Sequence, residues 1–190
     1  MTPQDIRDLV ILTLRSPVEA AQQIMSQNFG REVLWTGLLL AAVVNTFFLT
    51  FQKMIMAPGS DADLPILFAS PGVYFAIVAG GQAMFIYALY LVGGLFKGTG
   101  TLNNVMALMV WLQLLQVMAQ AIVVGLSLFA APLAILMHMA GVVYGLYILV
   151  HFIDQAHQLK SMGRAAAVLS MTLVLLAVAL SLLIALTGRY

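Results

Sequence analysis

The chain has 190 residues, 63% of them hydrophobic and 8% charged, with a formal net charge of +1 and no cysteine, and its mean hydropathy is +1.03. Soluble domains carry roughly 25% charged residues, so the solvent for this fold is lipid, and at about 20 apolar residues per crossing little chain is left for a separate soluble domain. Near-neutral charge without a Lys/Arg cluster excludes a nucleic-acid interface, and the missing cysteines exclude disulfides, thiolate catalysis and thiolate-bound metals.

Thr2 and Pro3 read as the N-cap and first residue of a helix, with Asp5 completing something close to a capping box. At about 100° per residue, Ile6, Leu9, Val10 and Leu14 gather on one side and Gln4, Arg7, Asp8 and Arg15 on the other. The apolar run Leu9 to Leu12 is too short for a signal-peptide core, so the first span is expected to direct insertion. Ser16 and Pro17, with Glu19, repeat the helix-start signal and predict a second short helix to about Gln27. These two helices are expected to pack on the cytoplasmic ends of the spans, with an interfacial anchor as the alternative.

Residues 33–51 form the first expected span, stopped by Gln52 and Lys53. The following connection contains Pro58, Gly59, Asp61 and Asp63, which read as a solvated loop because no further oxygen-ligand series accompanies the two carboxylates. Pro71 and Gly72 open the second span, residues 73–96, in which Gly80 and Gly81 admit a close neighbouring helix. A glycine-rich break carrying Gly93, Gly94, Gly98 and Gly100 leads to the third span, residues 103–129, capped by Asn103 or Thr101. Gln113, Gln116 and Gln120 fall within an arc of about 60° and make one polar stripe on that span.

The fourth span, residues 132–153 with a helical extension to His157, holds Gly141 and Gly145 in a small-xxx-small spacing suited to helix packing. The last, residues 165–187, is almost free of polar groups and is expected to face lipid most. The fold class is therefore all-α: a polytopic membrane bundle of five transmembrane helices behind short N-terminal amphipathic helices spanning residues 1–30. Arg7, Arg15, Arg31, Lys97, Lys160 and Arg164 fall on one side and Lys53 and Arg189 on the other. This asymmetry predicts a cytoplasmic N-terminus and an outside C-terminus.

Polar groups in hydrocarbon are the default functional candidates. Asn45, Gln82, Gln113, Gln116 and Gln120 are candidates for interhelical hydrogen bonds or, as a rival, for a solute path. His151, Asp154 and His157 lie at steps of three and are weak candidates for a divalent metal. Because His151 and His157 diverge by about 120° around the axis, a hydrogen-bonded cap at the lipid boundary is preferred. His138 and the 12 methionines read as packing residues. No catalytic residue and no cofactor is implied.

Three stretches then converge. Lys97 to Leu102 with Val105 to Gln113, Gly145 to His157, and Leu14 to Pro17 together resemble the Yip1 family in its bacterial form. The resemblance implies a five-helix inner-membrane protein without established catalytic residues. Eukaryotic relatives are linked to vesicle traffic and Rab-type GTPases, but their acidic-Leu-aromatic-Gly-Pro motif is absent here, which argues against GTPase binding. The leading expectation is a non-enzymatic organiser or accessory subunit whose partners are membrane lipids, further copies of itself or other membrane proteins. A small transporter or channel, and a metal-dependent membrane enzyme, are the alternatives.

Overall fold

In the computed structural model, residues 3–56 and 70–187 are described, and among them every regular element is helical. The connection with Asp61 and Asp63, the cap at Thr2 and the terminus around Arg189 lie outside the described residues. Two short helices, α1 (Pro3–Arg15) and α2 (Pro17–Ser26), precede α3 (Arg31–Met56), α4 (Pro71–Leu95), α5 (Leu102–Ser127), α6 (Ala131–His157) and α7 (Met162–Thr187). These last five are long and apolar enough to cross a bilayer. A bilayer crossing leaves no backbone donor or acceptor free for water, so an α-helix that satisfies its own is the form such segments take.

Local chemistry sets the helix ends. Pro17 stands in the first turn of α2, where its missing N–H costs nothing, although the Ser16 side chain makes no cap bond. At α5 the choice between two caps falls to Thr101, whose hydroxyl accepts the Asn104 N–H at 3.2 Å. Gln52 and Lys53 do not stop α3, which continues to Met56. Three helix ends close with a left-handed residue that is not glycine; after α2 it is Asn28, with φ 45. After α4, Lys97 has φ 62, with Gly98 N–H bonded to Gly93 carbonyl at 2.9 Å and Lys97 N–H to Gly94 carbonyl at 3.0 Å, a Schellman closure. After α6, Gln158 has φ 54, and Leu159 N–H reaches the Asp154 carbonyl at 3.1 Å.

The chain divides into two compact units. One gathers Met1–Asn28, Ala83–Leu108 and Ile148–Tyr190, and the other gathers Phe29–Gln82 and Met109–Tyr147. In the first, Leu9, Ile24, Leu89, Val92, Leu108, Phe152 and Ile153 are buried to 2% exposure or less. Thr13 joins this core although it is polar, because its hydroxyl donates to the Leu9 carbonyl at 2.7 Å. Ile6 and Leu14, expected on the packed side of α1 with Leu9, are instead exposed. In the second unit, Leu34, Leu38, Ala41, Ala42, Met109, Val110, Trp111 and Leu112 are buried, and α3 approaches α5 so closely at Gly37 that an added Cβ would lie 2.7 Å from Val110 Cγ1. Among the described residues α6 is the span least covered by the rest of the chain: 11% of its apolar window is buried, against 22% for α7.

Candidate functional site

Within the first unit, the end of α6 and the loop after α4 build one closed arrangement around His157. The imidazole is 1% exposed. A Cβ on Gly93 would overlap the ring at Cε1 and Nε2, one on Gly98 would lie 2.7 Å from His157 Cβ, and one on Gly100 would meet the Ala156 carbonyl oxygen and sit 2.9 Å from His157 Nδ1. The three glycines are thus needed for space. None of them adopts the left-handed backbone conformation, which in this loop falls to Lys97.

The loop is also clipped to the helix it surrounds. Thr99 N–H donates to the His157 carbonyl at 3.0 Å, and the Thr99 hydroxyl donates to Gln158 Oε1 at 3.5 Å. A helix leaves its last carbonyls without intrahelical partners, so this bond satisfies one of them from a neighbouring segment. Among the described residues neither ring nitrogen of His157 has a hydrogen-bond partner of good geometry; the Leu89 backbone acts on the ring electrostatically from α4. The preferred sequence reading, a hydrogen-bonded cap, therefore describes Asp154 but not His157.

Asp154 is 8% exposed. Its Oδ1 accepts Ser161 N–H at 2.9 Å and its Oδ2 accepts Gln155 Nε2 at 3.1 Å, while Ser161 in turn caps α7 by accepting the Arg164 N–H at 3.4 Å. The carboxylate holds the turn between α6 and α7. His151 is half-buried. Among the described residues, no three His, Asp or Glu side chains come together in an arrangement able to hold a metal ion.

Beside the same turn lies a recess of about 290 Å³ lined by Gln22, Met25, Asp154, Gln155, Gln158 and Lys160. Gln22 Nε2 donates to Gln155 Oε1 at 3.2 Å, joining α2 to the end of α6. Lys160, like Gln158, is left-handed, with φ 53. Apart from Asp154, sequence reasoning missed these lining residues, and it missed the roles of Gly93, Gly98 and Gly100. The one available signal was a glycine-rich loop set beside a helix that ends in histidine.

The remaining candidates are in the second unit. Gln113 and Gln82 are half-buried and each has an Oε1 without a hydrogen-bond partner. Gln116 is exposed and Gln120 half-buried. Asn45 turns its amide to its own helix, donating to Ala41 carbonyl at 3.0 Å, so that N–H is not the partner the stripe lacks. The expected packing glycines behave unlike Gly37: at Gly80, Gly81, Gly141 and Gly145 an added Cβ meets nothing within 4 Å. They open outward from the chain that carries them.

Against known proteins, the sequence profile of the Yip1 domain matches residues 11–183. Neither a curated protein nor a solved structure matches the chain.

Proposed function

We propose, from the premise that this chain belongs to the Yip1 domain family, that it acts as a non-enzymatic organiser of other membrane components, working through helix faces that its own fold leaves uncovered. It is a multi-pass membrane protein. The observation that carries the reading is the outer half of α6, where His138, Gly141 and Gly145, spaced by three and four, share an arc of about 60°. His138 is exposed and both glycines have open space beside them. In hydrocarbon a polar side chain calls for a partner, and glycines let a second helix approach to backbone distance. Six of eight basic residues on one side support a cytoplasmic N-terminus in an inner membrane.

The test is the assembly state after extraction in a mild detergent. The wild-type chain is expected to run as an oligomer or with a co-purifying membrane protein, and Gly141→Leu with Gly145→Leu should reduce it to a monomer without unfolding it, since a Cβ at those positions meets nothing within 4 Å among the described residues. A wild-type monomer with no partner would sink the proposal.

A second reading, a small transporter or channel, is favoured by the two unpartnered acceptors at Gln82 and Gln113, because a passing hydrated solute would supply the missing donors. Solute flux into liposomes should then fall severalfold on Gln113→Leu. Flux that is absent, or indifferent to that change, removes this reading.

A further inference from the structure

We propose that the recess at the turn between α6 and α7 binds the headgroup of an aminophospholipid, with the phosphate on Lys160 and the primary ammonium on Asp154 and the glutamine carbonyls. The inference does not depend on the organiser reading.

Opposite charges line this recess without neutralising one another. Asp154 and Lys160 are both on its wall, yet among the described residues neither is in an ion pair. Each carboxylate oxygen of Asp154 accepts one hydrogen bond and keeps acceptor capacity for another. A plain anion would meet Lys160 but also the Asp154 charge, and a divalent cation would find one carboxylate beside an ammonium. A ligand that carries both signs a few ångströms apart satisfies both walls. The three glutamines add amide donors for phosphate oxygens and carbonyls for an ammonium.

Position and shape agree with this. The residues stand where one apolar span ends at His157 and the next begins at Met162, the depth at which headgroups lie. A volume of about 290 Å³ lies just below the roughly 300–1,000 Å³ typical of ligand pockets, enough for a small headgroup. Gln158 and Lys160 hold left-handed backbones on either side of buried Leu159, a conformation that is uncommon for such residues and persists where surrounding structure enforces it. With Leu159 turned inward, its two neighbours are left to line the recess.

The experiment is lipid binding to the delipidated full chain by native mass spectrometry, using phosphatidylethanolamine, phosphatidylglycerol and phosphatidylcholine with the same acyl chains, and soluble glycerophosphoethanolamine. Phosphatidylethanolamine is expected to bind about tenfold more tightly than either other lipid, since the glycerol headgroup lacks the ammonium and the quaternary headgroup cannot donate hydrogen bonds. Lys160→Gln, at an exposed position, should weaken all three lipids severalfold, since each carries the phosphate, while leaving the thermal midpoint of the lipid-free protein unchanged, and Asp154→Asn should remove the preference for phosphatidylethanolamine. Equal binding of the three lipids, preference for phosphatidylglycerol, unchanged affinities in Lys160→Gln, or a preference that survives Asp154→Asn overturns the proposal. Glycerophosphoethanolamine binding as tightly as the lipid would assign the recess to a free phosphodiester and overturn the membrane source.

Discussion

Gly100→Ala should be the most damaging single methyl that can be added to this protein. The new Cβ would run into the Ala156 carbonyl oxygen and lie 2.9 Å from the Ala156 carbonyl carbon. Both are main-chain atoms inside α6, so no side-chain rotation relieves the overlap. The loop must retreat, and in retreating it strains the Thr99 to His157 main-chain bond. Overpacking costs about 1–3 kcal/mol and more where backbone must shift, and a lost hydrogen bond adds about 1 kcal/mol. We expect a loss of about 3 kcal/mol, or a drop of roughly 6–12 °C in thermal midpoint for a chain of this size. The control is Gly94→Ala, in the same glycine-rich stretch, where an added Cβ meets nothing within 4 Å and alanine in place of a helical glycine should be neutral or stabilise by up to about 1 kcal/mol. Equal midpoints for the two variants would show that the cradle is not closed in solution.

Gly93 and His157 should be strongly coupled. Gly93→Ala drives a methyl into the imidazole at Cε1 and Nε2, and the ring, 1% exposed, has nowhere to rotate. The expected cost is about 2–3 kcal/mol. His157→Ala alone leaves a cavity, an effect of about 2–5 kcal/mol for large-to-small changes, partly offset because two buried nitrogens without partners disappear, each unsatisfied group having cost about 1–3 kcal/mol. In the double variant the methyl added at position 93 enters space the ring has left. The two changes together should therefore destabilise by about 1–3 kcal/mol less than their sum, read from detergent denaturation of the four proteins. Strict additivity would mean that the ring does not occupy the glycine cradle.

Much of the architecture is legible from one sequence because hydrocarbon admits few solutions. Five long apolar runs, the Ser16–Pro17 break and the helical extension of α6 to His157 follow from composition and local turn chemistry. The cradle does not, for a physical reason. Small-xxx-small spacing marks Gly141 and Gly145 as a face but says nothing of what lies against it, and among the described residues nothing does. The glycines that meet another element, Gly37, Gly93, Gly98 and Gly100, are identified only by partners supplied from distant parts of the chain. The same limit governs the polar residues of α6. Helical spacing makes His151, Asp154 and His157 neighbours along one helix, whereas tertiary structure gives them separate tasks: Asp154 ties the turn between α6 and α7, and His157 fills the glycine cradle. Left-handed residues were also hidden, since Lys97, Gln158 and Lys160 occupy conformations that sequence reasoning assigns first to glycine.

The bond from Thr99 N–H to the carbonyl of residue 157 is made by main chain on both sides and is therefore blind to what residue 99 carries. Part of the loop's recognition is thus written in atoms that every amino acid but proline possesses. Mutational tolerance along residues 98–100 should accordingly be uneven: position 99 can drift across the alphabet short of proline, while the two glycines that flank it are frozen by want of room.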